Sequence, residues 1–362
     1  MSMLTIQEEK INGLKALLEA ATRVAVLGHT HPDGDALGST AAMCLFLKEK
    51  MGKDVSCILP DTPPENLRFL LASGVPYYFH DTQPSQAVRS VQEAGLVILL
   101  DCNAFRRTEA LEQPLLASAA PKVLIDHHLN PDTERFNLVF STPDISSASE
   151  LLYWILKAMV PENTPSSASL RDPIRANAPE GVFSGAIGAA LLAGMTTDTN
   201  NFANSVYPST FQMASELISA GVDRDAILQQ IYWNYRENRV RLMGYMQSQQ
   251  LHVLPNGAAY MIMSREIQQR FDLREGESEG LVNVPLAIGD VRQSVLVKED
   301  QGHYRVSVRS KKGTSAQQLA QRYFHGGGHE NAAGGKIFPA EDLAEGQDIG
   351  SYVQNVLTGY LR

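Results

Sequence analysis

The sequence predicts an α/β protein in two parts. An N-terminal domain carries a parallel sheet with helices on both faces, and a smaller C-terminal α+β domain is joined to it by a helical linker. Three observations predict this. Apolar runs short enough for buried strands alternate with helical patterns through the first half, the signature of βα units. The length, 362 residues, suits about two domains at ~150 residues each. Strand signals then crowd together after residue 250, with little helix between them.

Taken in order, residues 4–20 place Leu and Ile at helical spacing, and RVAVLGH (23–29) is an apolar strand. A polar turn leads into the helix ALGSTAAMCLFLKEK (36–50). DVSCIL (54–59), AGLVILLD (94–101) and KVLID (122–126) are further strands, with helical patterns near 64–72, 84–93 and 106–111. Helices are expected at 147–160 and 183–196. The segment 161–181, rich in Pro, Ser, Ala and Asn, reads as a surface loop. A helical stretch with one break at Gly221 follows. The expected domains are therefore 1–205, a linker at 206–250, and 251–362. In the last, strands at 252–310 precede a helix (315–324), a glycine cluster and a short strand.

Composition narrows the class. With 44% hydrophobic and 20% charged residues, wholesale disorder is excluded. A net charge of −9 argues against a surface built to hold long duplex DNA. Three cysteines without CxxC spacing point to a reducing compartment. The N-terminus lacks the apolar core of a signal peptide, and the apolar stretch 182–195 is too short to span a membrane. The expectation is a cytoplasmic protein with no membrane partner; the sequence leaves a homodimer open.

Four of the nine histidines fall in two short clusters. The first, His29-Thr30-His31-Pro32-Asp33-Gly34-Asp35, follows the first strand, where sheets of this kind place ligands. Asp101 ends LVILLD. Asp126-His127-His128 follows a third strand, and Asp198 closes an apolar helix. Each has a plain structural explanation by itself. Asp33 or Asp35 could cap the next helix, Asp101 could start an Asx turn, and Asp198 could be a polar helix end. A lone His after a strand is more often a hydrogen-bonded core residue. Together they bring hard carboxylates and imidazoles, with no clustered thiols, to one sheet edge. That donor set suits Mn²⁺ or Mg²⁺. Five or six donors exceed what one open catalytic ion uses and fit two ions about 3.5–4 Å apart, which makes phosphoester hydrolysis the natural chemistry.

These motifs resemble the DHH phosphoesterase superfamily. Its first motif is matched by His29, Pro32, Asp33, Asp35, Gly38 and Ser39, its second by Asp101, its third by Asp126-His127-His128 and its fourth by Asp198. Gly326-Gly327-Gly328-His329 followed by Glu330-Asn331-Ala332-Ala333-Gly334 resembles the signature of the DHH-associated C-terminal domain. The resemblance implies one metal on His29, Asp33 and Asp101, and a second on Asp35, Asp101, His127 and Asp198, with Asp101 bridging. It implies His128 and Asp101 at the reacting phosphate, and gives His31 no fixed role, leaving it beside the ligands rather than among them. It further implies two divalent ions, Mn²⁺ ahead of Mg²⁺. Within the superfamily the chain resembles the nanoRNase/pAp phosphatases, which implies short single-stranded RNA or a mononucleotide bisphosphate as substrate. A linear or cyclic dinucleotide phosphodiesterase is the alternative, and a non-catalytic nucleotide-binding regulator a more distant one.

Charge along the chain agrees. Between His303 and Lys336 there are six Lys/Arg and one acid, net +5, while the rest carries 25 bases and 39 acids, net −14. Three glycines in a row allow close backbone approach to an anion, as a nest, and His329 adds a donor. The resemblance assigns substrate binding to Arg309, Ser310, Gly326, Gly327, Gly328 and His329.

Overall fold

In the computed structural model the described residues are 6–160, 183, 185–274 and 276–361. The loop expected at 161–181 lies outside them. The chain divides into two units, Met1–Asn234 and Tyr235–Arg362.

The first unit is built on six parallel strands: β1 (Arg23–Leu27), β2 (Asp54–Leu59), β3 (Tyr77–Phe79), β4 (Leu96–Leu100), β5 (Lys122–Asp126) and β6 (Leu138–Ser141). Their order is β3-β2-β1-β4-β5-β6, so the direction of winding reverses between β1 and β4. In doubly wound sheets that reversal opens a crevice at the carboxyl ends of the two strands.

Alternation along the strands feeds two cores. Ala25, Leu27, Val97 and Leu99 face one side, with helices α3 (Pro84–Gln92) and α4 (Glu112–Ala117). Val24, Val26, Ile98 and Leu100 face the other, covered by α1 (Glu8–Ala20), α2 (Gly34–Met51), α5 (Ala148–Met159) and α6 (Ala186–Asp198). Helices thus lie on both faces, as the alternating pattern predicts. The short β3 and β6 extend the sheet beyond the strands read from the sequence. β3 is only half-buried and β6 mostly so, and neither shows the continuous apolar run of a central strand.

Two glycines set how closely α2 and α6 approach. A Cβ on Gly38 would stand 2.5 Å from the Ala190 carbonyl oxygen and 2.9 Å from the Gly194 Cα, distances no side chain tolerates. The contact holds Asp35, at the start of α2, and Asp198, at the end of α6, on the same side of the sheet.

The helical stretch expected as a linker is divided. Helices α7 (Pro208–Ser219) and α8 (Arg224–Tyr232) bury Met213, Leu217, Ile227 and Ile231 in the first unit's core. Helix α9 (Glu237–Tyr245) and the π turn after it bury Leu242 and Met246 against Met261, Leu281 and Leu296 of the second unit. The boundary therefore falls at Asn234/Tyr235. Helical periodicity runs on across it, because both sides are amphipathic.

The second unit has a mixed sheet, β7 (His252–Val253), β8 (Ala258–Met263), β9 (Gln293–Glu299), β10 (Tyr304–Ser310), β11 (Gly327–Gly328) and β12 (Ala332–Ile337), in the order β11-β12-β10-β9-β8-β7. Only β8 and β9 pair in parallel. Helices α10 (Arg265–Arg270), α11 (Ala316–Tyr323), α12 (Pro339–Asp342) and α13 (Ile349–Tyr360) complete it, and Leu319, Phe324, Val353 and Leu357 pack on the sheet. Among the described residues no helix is long and apolar enough to cross a membrane.

Candidate metal centre

The strand ends bring the acidic and histidine motifs together at the β1/β4 reversal. His29 lies two residues beyond β1, Asp101 follows β4 directly, and Asp126 closes β5. Asp101 has φ +54, a backbone conformation that costs an L-residue energy and is held here by the bond from its N–H to the Ile125 carbonyl (3.0 Å). The turn aims its buried carboxylate back over the sheet edge.

His29 Nδ1 lies 2.7 Å from the Thr30 carbonyl oxygen. A carbonyl only accepts, so Nδ1 carries the proton and the Nε2 lone pair is left open. That Nε2 is 3.4 Å from Asp101 Oδ2 and 3.9 Å from Asp33 Oδ1. Asp33 caps α2, its Oδ1 accepting from the N–H groups of Asp35 and Ala36 at 3.0 Å each. The capping role and the place in the cluster coexist in this one side chain.

Asp35 is 1% exposed, and its two oxygens accept from Ala148 N (2.7 Å) and Ser149 N (3.0 Å) at the positive end of α5. His127 Nε2 stands 3.8 Å from Asp35, 3.4 Å from Asp101 Oδ1 and 3.5 Å from Asp198 Oδ2. Two groups of donor atoms, His29/Asp33/Asp101 and Asp35/Asp101/His127, are each compact enough to hold a cation, and both contain Asp101. Asp198 adjoins the second through His127.

The electrostatics are those of an over-acidic pocket. Burial opposes charge on His127, yet the Asp198, Asp101 and Asp35 carboxylates raise its pKa to about 10. Burial likewise opposes charge on His29, as does Arg107, but the Asp101 and Asp33 carboxylates outweigh both and raise it. Burial and the charges of Asp101 and Asp198 push Asp35 well above the usual carboxylate range. Burial would raise Asp101 too, but the surrounding imidazoles hold it well below that range. At 3.4 Å those imidazoles are ion-pair neighbours rather than strong hydrogen bonds, and Asp101 Oδ1 has no hydrogen-bond partner among the described residues.

A buried carboxylate oxygen without a donor, inside a ring of carboxylates that draws protons onto imidazoles, is the environment a divalent cation satisfies. The donors fit that cation in kind as well. Cys102, next to Asp101 in the chain, is buried with its Sγ directed to the Ala104 carbonyl, and burial pushes its pKa up to about 12.

His128 stands apart from His127. Its Nδ1 is 2.9 Å from Asp126 Oδ1, and its backbone N–H bonds Asp126 Oδ2 at 2.9 Å, so the fully buried Asp126 serves to orient it. Burial lowers the His128 pKa despite that carboxylate. His31 is half-exposed, with φ +50, and its backbone N–H bonds Asp61 Oδ2 at 2.6 Å. Asp61 also accepts from Thr30 Oγ1 at 2.6 Å, fixing the loop after β1.

Two residues at this edge were not anticipated. Asp61, two positions after β2, is a further acid beyond a strand end, and that spacing was its signal. Arg107 donates from Nη1 to His128 Nε2 (3.0 Å). Only its place six residues after Asp101 marked it.

In the second unit Arg309 and Ser310 end β10; Ser310 Oγ donates to Thr314 O and accepts from Asn331 Nδ2. The glycine run differs from the nest expected of it. Gly327 and Gly328 form β11, paired with Gly334 and Ala333 of β12, and the His329 N–H bonds the Ala332 carbonyl at 2.7 Å. The glycines serve close packing: a Cβ on Gly326 would lie 1.9 Å from the Gly334 carbonyl oxygen.

Residues 23–177 match the DHH family, N-terminal domain, and residues 258–349 match the DHHA1 domain. A probable bifunctional oligoribonuclease and PAP phosphatase, NrnA, of Streptococcus mutans is 28% identical, over 94% of this chain and 97% of its own length. The cyclic-di-AMP phosphodiesterase GdpP of Geobacillus thermodenitrificans is 28% identical over 59% of this chain but 30% of its own length. The crystal structure of an exopolyphosphatase-related protein from Bacteroides fragilis superposes with a TM-score of 0.84 at 31% identity, covering 99% of this chain and 97% of that one.

Proposed function

This chain belongs to the DHH family of phosphoesterases, and on that premise we propose that it is a two-metal, Mn²⁺-preferring hydrolase of short oligoribonucleotides and of 3′-phosphoadenosine 5′-phosphate. The observation that carries the reading is Asp101, a strained, buried carboxylate common to both donor groups and lacking a hydrogen bond on Oδ1. The substrate class is taken from the Streptococcus mutans relative, which matches across nearly its whole length.

In this proposal His29, Asp33 and Asp101 hold one ion, and Asp35, Asp101, His127 and Asp198 hold the other. A bound pair of such ions supplies an activated hydroxide and charge stabilisation on phosphoryl oxygens. The chain's own groups prepare the site. The Thr30 carbonyl fixes the His29 tautomer with Nε2 toward the carboxylates. The α5 amides hold the Asp35 carboxylate in place. Asp126 fixes the ring of His128 for a place at the reacting phosphate. The low position of Asp101 on the pKa scale keeps it charged through the physiological range. Arg309, Ser310 and His329 are proposed to bind the remainder of the substrate, together with Gly326, Gly327 and Gly328.

The test is a substrate panel with Mn²⁺ and with Mg²⁺: labelled RNA of two to five nucleotides, a long single-stranded RNA, pAp, a cyclic dinucleotide and pyrophosphate. Turnover of the short RNAs and pAp, fastest with Mn²⁺, is the expected result. Rapid hydrolysis of the cyclic dinucleotide or pyrophosphate with inert short RNA overturns the substrate assignment. No hydrolysis of any of them, with any divalent ion, overturns the enzyme reading.

A further inference from the structure

Arg107 is a cation placed inside an acidic site without being paired to an acid. It sits in the 3-10 turn Phe105–Leu111 that follows β4, and its backbone carbonyl accepts the Thr30 N–H at 2.8 Å. The turn after β4 is thereby pinned to the loop after β1, across the reversal where the donors converge. Its Nη1 lies 3.0 Å from His128 Nε2 and 3.4 Å from His128 Nδ1, resting against the ring, and donates to the Asp101 backbone carbonyl at 3.4 Å. Among the described residues it forms no ion pair with a carboxylate. Arg23, Arg135, Arg236 and Arg241 of the same chain each do.

The donor count gives this meaning. A guanidinium carries five N–H donors in a planar fork, and the recorded bonds of Arg107 all leave from Nη1. The fork's other donors, on Nε and Nη2, have no hydrogen-bond partner among the described residues. His128 cannot neutralise the charge. Its Nδ1 stands 2.9 Å from Asp126 Oδ1, which fixes the ring beside the guanidinium. The chain Asp126–His128–Arg107 therefore aims a full positive charge and spare donors, with no anion of the protein at the end. A tetrahedral phosphoryl group with two non-bridging oxygens matches that fork in charge and geometry.

We propose that Arg107 is a direct ligand of the scissile phosphoryl group, binding its non-bridging oxygens, and that Asp126 and His128 are the residues that position it. This rests on the phosphoesterase reading above.

The experiment uses the full chain loaded with Mn²⁺, as wild type, Arg107→Gln and Arg107→Lys. Inorganic phosphate affinity is measured by calorimetry and as product inhibition, alongside kcat and KM on pAp, Mn²⁺ uptake and the unfolding temperature. Arg107→Gln is expected to keep Mn²⁺ uptake and a near-native unfolding temperature while losing phosphate affinity about 10- to 150-fold, the range of a charged hydrogen bond. Arg107→Lys restores charge but not the fork, and is expected to recover only part of the loss. Should the Gln variant fail to fold, the Lys variant alone decides, since wild-type phosphate affinity in it overturns the proposal. Lower kcat in Arg107→Gln with unchanged phosphate affinity also overturns it, because Arg107 then only orients His128. A wild-type protein that takes up Mn²⁺ but neither binds phosphate nor cleaves any phosphoester overturns the phosphoesterase reading with it. Wild-type turnover matched by equal turnover and phosphate binding in Arg107→Gln overturns the Arg107 assignment alone.

Discussion

At the carboxyl edge of the parallel sheet, five aspartates and three histidines crowd together with Asp101 Oδ1 left without a hydrogen bond, whereas the glycine hairpin of the second unit closes on itself. The Gly326 N–H bonds the Ala320 carbonyl of α11, the His329 N–H bonds the Ala332 carbonyl of β12, and Asn331 Nδ2 donates to Ser310 Oγ. The first region is held by tertiary structure against its own electrostatics. The second would be content without a ligand. A site that is unstable alone is suited to chemistry, because a bound cation relieves it. A self-satisfied surface is suited to weaker, reversible grip.

Substitutions can break or sharpen that contrast. Asp101→Asn has the largest expected effect: kcat/KM falls about 10³-fold or more, with loss of Mn²⁺ uptake by calorimetry. Asn tolerates φ near +54, but the neighbouring imidazoles favour the Asp101 charge, so the metal-free variant is expected to unfold at a lower temperature than metal-free wild type. A higher unfolding temperature would show that the carboxylates' mutual repulsion outweighs the pairing of Asp101 with the imidazoles.

Arg309→Ala and His329→Ala are expected to raise KM about 10- to 100-fold with kcat changed little, and to leave stability alone. A fall in kcat with unchanged KM would move these residues from grip to chemistry. Gly38→Ala forces a methyl against Ala190 and Gly194, at a cost of about 1–3 kcal/mol in urea unfolding, and lowers Mn²⁺ affinity by separating Asp35 from Asp198. Undiminished Mn²⁺ affinity would show that the helix contact does not set the donors.

The smallest effect belongs to a carboxylate in the same unit but away from the edge. Burial would raise Glu216, but bonds from Lys157 and Tyr153 hold its pKa below the usual value. Its contribution is therefore present above the unfolded pKa of about 4.3 and lost as pH falls through the lower folded value. With Glu216 partly exposed, Glu216→Gln is expected to cost under about 1 kcal/mol at pH 7, the gap to wild type closing below pH 4. A gap that persists in acid would assign the effect to packing.

Much of this edge was legible because several apolar strands end in Asp or His, each ambiguous alone and telling only in combination. RVAVLGH, LVILLD and KVLID announced both the sheet and the donors. What stayed hidden depends on contacts between loops. Asp61 and Arg107 act through bonds to Thr30, His31 and His128, which no local pattern encodes. The unit boundary was hidden for the opposite reason, since α8 and α9 are both amphipathic and only tertiary packing separates them. Helix α13 was overlooked, although Ile349, Val353, Val356, Leu357 and Tyr360 recur at helical spacing. The GGGH run was legible as a motif but not as a strand, because its pairing with β12 depends on backbone approach that only missing side chains permit.

The strand order carries a consequence for how this protein matures. The donors run from His29 to Asp198, and β1 meets β4 only after β2 and β3 have been laid to one side. No emerging chain owns a complete donor set until more than half of it has been synthesised. Cation uptake is then a late event, and it ratifies a sheet that has already closed. The donor set is completed by the last residue of α6, after every strand of the sheet has been made.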